Sequence, residues 1–413
     1  MKLFKGIESV MTMAPAMKKQ GRKIGLEDLG LQKKVNMLVD RGQIVLLQDQ
    51  AKKIPTELKK KVKSEVDCRG LHVVPGLVEC HTHTVFSGER AAEFEQRLNG
   101  VPYQEIAAKG GGILSTMRKT RAESRADLLG LTQKRVNQFV RQGVTTLEVK
   151  SGYALNLKDE LKMLEVAKNL KGPRIVKTFL GAHALPPEFK TYSEYLEYLA
   201  EQVLPVIKKK ELAERVDIFI EKGFFSAQDG QKYLRQAQEL GFEVVIHADQ
   251  LSLSGGADLA VELGALSADH VIQVKDQQIA RLAQSSVTAV LLPAADLYMR
   301  CEYPPARALI DAGARVALAT DFNPGTSPTQ DTALTGLLAR LQMKMSLPEV
   351  WSAYTVGAAY ALGLEQRVGS LEIGKSADFI CTHAEWSEFF YSAGNQPVHA
   401  VFREGRALFR DSK

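Results

Sequence analysis

Cysteine is scarce: Cys68, Cys80, Cys301 and Cys381 are the four in 413 residues, and no two form a CxxC pair. Such usage fits free thiols in a reducing compartment rather than a disulfide framework. Apolar runs long enough to span a bilayer are missing, and the short apolar patch at the N-terminus is broken by Glu8. A signal peptide and a membrane anchor are therefore not expected, and the reading is a soluble cytoplasmic protein. Charge of one sign is also thin: 54 Lys and Arg against 48 Asp and Glu leave a formal +6. That mildly favours a small anionic substrate and offers no nucleic-acid surface; the Lys59–Lys61 and Lys208–Lys210 runs read as solvated faces. Low-complexity tracts and short repeats are absent. Gly110-Gly111-Gly112 lacks the lysine and serine that would complete a phosphate loop, so it reads as a loop near the pocket, of the kind that serves as a lid.

What is present starts at Val74-Pro75-Gly76-Leu77-Val78-Glu79-Cys80-His81-Thr82-His83, an apolar run ending in His-x-His. Alternate strand residues share a face, so His81 and His83 point one way while Cys80 and Thr82 point the other. Two neutral imidazoles so placed can grip one metal ion. The flanking chain has two textures. Residues 1–75 look strand-rich, with a hairpin turn at Asp40-Arg41-Gly42, and residues 363–413 mirror them with a strand at Ala377–Cys381 and a hairpin around Glu404-Gly405. These ends are expected to form one composite β-sandwich domain; His72, His383 and His399 lie in them and receive no role. Residues 76–362 alternate strand and helix. Eight strand candidates follow one another: Leu77–His83, Val144–Lys150, Arg174–Leu180, Val216–Ile220, Phe242–His247, Ala265–His270, Val287–Leu292 and Arg315–Asp321. Helical patterns separate them, including Ser124–Gln142 and Ser226–Leu240, each opened by a capping serine and stopped by glycine, and a longer Tyr195–Arg215. Eight such repeats imply an α/β fold, a (β/α)₈ TIM barrel.

In such barrels chemistry gathers at the C-terminal strand ends. His81 and His83 close the first candidate strand, His183 follows the third, His247 closes the fifth, His270 the sixth and Asp321 the eighth, so all five barrel histidines fall on one rim. Core or surface histidines would scatter. His81, His83, His247 and Asp321 make a mixed nitrogen and oxygen set that suits one zinc or iron ion. Such an ion lowers the pKa of a bound water from ~15.7 toward ~7, and Asp321 beside it can accept a proton and pass it to a leaving group. For Asp321 alone, a turn aspartate before Asn323-Pro324-Gly325 is the competing explanation. Cys80 faces away and is expected to pack.

These motifs resemble the amidohydrolase superfamily. Three longer segments, Glu148–Tyr153, Phe179–Glu188 and Ala319–Pro328, resemble the imidazolonepropionase family over about Val74 to Tyr360. The resemblance implies hydrolysis of the cyclic amide of 4-imidazolone-5-propanoate to N-formimidoyl-L-glutamate in histidine degradation, with one zinc or iron ion per subunit and a homodimer. It implies His270 as a catalytic donor at the oxyanion, beside Asp321. It also implies Arg90, Tyr153, His183, Gln250, Asn323, Gly325 and Thr326 as substrate-binding residues, with Gly325 and Thr326 acting through backbone or hydroxyl donors. The arginine fork of Arg90 matches the substrate's propanoate. Lys150 stands where some members of the superfamily bridge two metals through a modified lysine, but Ser151-Gly152-Tyr153 follows it as in the single-metal family.

One position departs from the pattern. Gln250 stands where relatives often carry glutamate, and a primary amide takes no proton at neutral pH. Gln250 can pair with the substrate ring but cannot be the general base, which leaves Asp321 and His270 to move protons. The same residue weighs against an alternative, a purine or pyrimidine aminohydrolase, which needs a carboxylate there. A metal-free scaffold is the other alternative, and the intact His81, His83, His247 and Asp321 weigh against it.

Overall fold

The structure is a computed structural model and describes residues 1–101, 105–106 and 110–411. Five strands come first: β1 (Lys2–Met11), β2 (Leu31–Asp40), β3 (Gln43–Asp49), β4 (Ser64–Asp67) and β5 (His72–Pro75). β2 and β3 form the expected hairpin. Arg41 and Gly42 both take positive φ (48° and 84°), which matches the twist of the flanking strands.

The middle of the chain supplies β6 (Leu77–Glu79), β7 (Val144–Lys150), β8 (Arg174–Ala182), β9 (Arg215–Ile220), β10 (Glu243–Ala248), β11 (Ser267–His270), β12 (Thr288–Leu291) and β13 (Arg315–Leu318). They pair in sequential order and all in parallel, so all eight sequence candidates lie in one nearly closed barrel. The seam between β6 and β13 closes just past the strand ends. There His83 N–H donates to Phe322 O at 2.9 Å and Thr320 N–H donates to Glu79 Oε1 at 3.0 Å.

Helices cover the barrel as their capping residues dictate. Helix Arg125–Arg141 is capped by Ser124, whose side chain accepts from Asp127 N, and helix Ala227–Glu239 is capped the same way by Ser226. Gly143 and Gly241 follow them with φ of 94° and 78°, the left-handed stop that glycine adopts without a Cβ penalty. The helix expected over Tyr195–Arg215 is broken into Tyr192–Tyr198, a π turn over Leu199–Val203 and Leu204–Lys209. Pro205 is the reason: it offers no N–H and crowds the preceding turn, and Leu204 N–H reaches back five residues to Leu199 O.

The chain then returns through β14 (Phe379–Thr382), β15 (Ala400–Arg403) and β16 (Arg406–Arg410). β14 pairs antiparallel with β5, so both chain ends enter one eight-stranded sheet of order β16-β15-β14-β5-β1-β2-β3, with β4 on β1. Its apolar face surrounds its own core, centred on Phe4, Phe379 and Phe402 with ring centroids 4.8–5.2 Å apart. Residues Met11, Met13, Ala16 and Leu29 leave this sheet and pack into the barrel's core instead. Arg174 on β8 binds Asp378 at 3.1 Å and fixes the end sheet to the barrel. Among the described residues, no helix is long and apolar enough to cross a membrane.

Candidate active site

The rim histidines meet at one point. β6 stops at Glu79, earlier than the alternation predicts; past it Thr82 forms an isolated bridge with Phe322, and Lys150 N–H donates to Thr82 O at 3.0 Å. The alternation itself persists. Cys80 packs outward with Val78, Ala317 and Ala319, while His81 and His83 point inward, with ring centroids 5.3 Å apart. Asp321 likewise lies past the end of β13, with φ at 52°. His270 and Val271 also take positive φ, 75° and 46°, and Val271 is β-branched. Backbone this strained persists only where its surroundings fix it, and it clusters at functional sites.

Three contacts define the centre. Asp321 Oδ1 lies 3.4 Å from His81 Nε2 and 3.3 Å from His83 Nε2, and His83 Nε2 lies 3.4 Å from His247 Nε2. His81 Nδ1 is hydrogen-bonded to Asp269 Oδ2 at 2.6 Å; with Nδ1–H donated to that carboxylate, its Nε2 carries a lone pair toward the centre. His247 Nδ1 lies 3.0 Å from Asp217 Oδ2, a close contact that is not a hydrogen bond among the described residues. Burial, assisted by the Lys150 charge, lowers the pKa of His81 and of His247, so both rings are neutral. Buried acceptors thus face one another; among the described residues His81 Nε2 and Asp321 Oδ1 have no hydrogen-bond partner. Such an arrangement is unfavourable unless a cation lies between them. Tetrahedral coordination at 2.0–2.1 Å places ligand atoms about 3.3–3.4 Å apart, which matches the three contacts above. The donor set and spacing therefore fit a zinc- or iron-type ion. His270 adjoins the centre, its ligand atom within 4.8 Å of those of His81 and Asp321. Its pKa is pushed down to about 4 by burial, so the ring is neutral.

Beneath the histidines sit charges that sequence reasoning left unassigned. Asp217 lies on β9, and Asp269 immediately precedes His270. The signal was there: ionisable residues interrupt apolar strands, as in Arg215-Val216-Asp217-Ile218. Lys150 Nζ lies 2.8 Å from Asp217 Oδ2 and 3.0 Å from Glu148, and its ammonium fills the space beside a second close group, Asp217, His247 and Asp269. Lys150 is thus ion-paired with the carboxylates around it.

The pocket opens over this centre. His83, His247, His270 and Asp321 form its floor, with Arg90, Tyr153, His183, Gln250, Asn323 and Thr326 around it. Sequence reasoning missed the apolar wall of Ile113, Phe219, Phe224, Leu251 and Met299; its residues come from four separate segments and carry no local motif. His183 Nδ1 bonds Gly152 O at 3.0 Å, and burial pushes its pKa down to about 3, which leaves a neutral ring with Nε2 as an acceptor. Arg90 is nearly buried and Glu93 holds its Nε at 2.7 Å. Gly325 lies outside the pocket lining. A Cβ there would come 2.0 Å from Arg90 Nη1, so glycine makes room for the guanidinium. The backbone N–H groups of Gly325 and Thr326 both donate to Asn323 Oδ1, at 2.9 and 2.7 Å, so those donors and the Asn323 carbonyl are engaged within the loop. Gly112 N–H donates to Glu93, which places the Gly110–Gly112 turn at the rim.

Comparison with known proteins agrees with this geometry. The model of the amidohydrolase family matches residues 72–408. The imidazolonepropionase of Bdellovibrio bacteriovorus is 62% identical over 408 residues, covering 98% of this chain and 96% of that one. The imidazolonepropionase of Bacillus velezensis is 41% identical and covers 93% and 91%. Among solved structures, an adenosine deaminase from Xanthomonas campestris with bound zinc aligns at TM-score 0.71 with 18% identity, covering 98% of this chain and 92% of that one. Guanine deaminase from E. coli aligns at 0.71 with 16% identity, covering 99% and 100%; both show the shared fold. The chain therefore belongs to the amidohydrolase family and, within it, to the imidazolonepropionases.

Proposed function

We propose that this chain hydrolyses the cyclic amide of 4-imidazolone-5-propanoate to N-formimidoyl-L-glutamate, with one zinc or iron ion held by His81, His83, His247 and Asp321. The observation that carries the reading is the convergence of the His81, His83 and His247 nitrogens and an Asp321 oxygen, with three of their spacings at 3.3–3.4 Å, on the floor of a pocket that also holds an arginine. When bound, such an ion supplies a Lewis acid that makes water acidic enough to yield hydroxide near neutral pH.

The chain's own residues do the rest. Arg90 pairs with the substrate's propanoate and so sets the ring's orientation, its Nε braced by Glu93. His183, an acceptor at Nε2, and Gln250, with both donor and acceptor, suit the ring's N–H and carbonyl edges. Tyr153, with its ring centroid 5.3 Å from that of His183, forms part of the wall against which the ring packs. Asp321 takes the proton of the attacking water and returns it to the leaving ring nitrogen. His270, neutral, donates to the oxyanion that develops on the carbonyl oxygen. Asn323 shapes the loop that carries Gly325 and Thr326, and the Thr326 hydroxyl lines the pocket. In the same reading the enzyme is a cytoplasmic homodimer that binds neither nucleic acid nor membrane, supported by its few unpaired cysteines and its thin net charge.

The test is loss of imidazolonepropionate absorbance with purified protein, before and after chelation. Turnover that disappears with the chelator and returns with zinc or iron supports the reading. Chelator-resistant turnover, or none on this substrate with metal present, contradicts it.

A further inference from the structure

Lys150 ends β7 with its side chain fully buried beneath the histidines. Its ammonium lies 2.8 Å from Asp217 Oδ2, 3.0 Å from both oxygens of Glu148 and 3.7 Å from Asp269 Oδ2. The same Oδ2 atoms of the two aspartates touch His247 Nδ1 and His81 Nδ1. One cation is therefore a single carboxylate away from two metal-facing rings, one on β10 and one on the segment that follows β6. Its own position is fixed from below, because Thr178 Oγ1 donates to Glu148 Oε1 at 2.5 Å. Ser267 Oγ fixes the other oxygen of Asp269 at 2.6 Å.

A buried lysine facing three carboxylates could serve packing alone. The geometry says more. In both Asp217 and Asp269 the oxygen that faces a histidine is also the one that faces the ammonium, so the charge draws each carboxylate into the position it holds behind its ring. We propose that Lys150 is a positioning residue for the metal centre, holding Asp217 and Asp269 so that His247 and His81 turn their Nε2 lone pairs toward Asp321. The proposal rests on the metal reading above and adds to it a residue that touches neither metal nor substrate.

The experiment uses cobalt(II)-loaded full-length protein, with wild type compared to Lys150→Met and to Glu148→Gln/Lys150→Met. The double variant removes one charge of each sign and keeps the cluster's buried net charge as it is. Two quantities are read: retention of cobalt against a chelator, and the visible absorption bands, which report ligand geometry. Both variants should bind cobalt about 10–100-fold more weakly, the usual effect of losing an outer partner of a metal ligand, with shifted bands. On an Asp217→Asn/Asp269→Asn background, Lys150→Met should add little, because the residues act as one unit. A folded variant with wild-type bands and wild-type retention overturns the proposal. Failure of both variants to fold also overturns it, since Lys150 would then be a folding residue. Wild type that retains no cobalt removes the metal reading and this proposal together; wild type that retains it while the variants match removes only the role of Lys150.

Discussion

Beneath the rim, the barrel buries Glu79, Glu148, Lys150, Asp217 and Asp269, whereas the end sheet buries Phe4, Val35, Val73, Phe379 and Phe402. Both interiors are closed to water, and they do different work. An ionised group without a partner is costly to bury, and even a paired one is a weak source of stability. The barrel's inner ionisable groups are instead arranged to hold atoms in place: Asp217 and Asp269 on histidine nitrogens, Glu79 on the N–H before Asp321. Glu79 is fully buried, and burial pushes its carboxyl up to about 8, so it is held there as the neutral acid near neutral pH. The end sheet gains stability from apolar area and stacked rings and carries none of the groups proposed for the reaction. Stability and chemistry are thus separated within one chain, and substitutions in the two interiors should separate as well.

The largest effect should come from Asp321→Asn. It keeps the shape but removes the proton acceptor and one anionic donor, so kcat should fall by about 10²–10⁴-fold while urea unfolding changes little. Steady-state kinetics on 4-imidazolone-5-propanoate check this, and near-normal kcat would end Asp321's role. Arg90→Met comes next. Losing a charge-assisted hydrogen bond worth about 1.5–3 kcal/mol should lower kcat/KM roughly 10–150-fold, most of it as a higher KM; equal loss with a substrate analogue lacking the propanoate would place Arg90 elsewhere. Gln250→Ala should act in the same direction but less. An amide's net contribution of about 0.5–1.5 kcal/mol predicts a several-fold rise in KM with kcat nearly unchanged, and a selective loss of kcat would show that Gln250 takes part in proton movement after all. Phe379→Ala should change turnover least. It empties the ring cluster with Phe4 and Phe402 and should cost about 3–5 kcal/mol of stability, read by urea denaturation, with kcat per folded molecule preserved. A fall in kcat at that position would mean that the two interiors are not separate.

What could be read from the chain follows from how local each signal is. The apolar strands and the Ser124 and Ser226 caps depend on neighbours within a few residues, and they stand where the pattern placed them. The five rim histidines were legible because barrel architecture converts position along a strand into position at the mouth. The carboxylates behind them were not, since His81 meets Asp269 across 188 residues of sequence. Nor could alternation foresee where β6 ends, because the partner of Thr82 and His83 past that end is Phe322, far away in sequence. Pro205 was visible, yet helical periodicity on both sides hid its consequence until the π turn showed how the chain accommodates it. The Gly325 and Thr326 donors were expected to face the substrate, but a local amide, Asn323, engages both.

Anomalous diffraction from crystals of the metal-loaded protein, collected at the zinc and iron edges, would test the central claim most directly. One peak per chain is predicted, within coordination distance of His81 Nε2, His83 Nε2, His247 Nε2 and an oxygen of Asp321, and the edge that lights it identifies the metal. A peak between Asp217 and Asp269, or two peaks bridged at Lys150, would contradict the account.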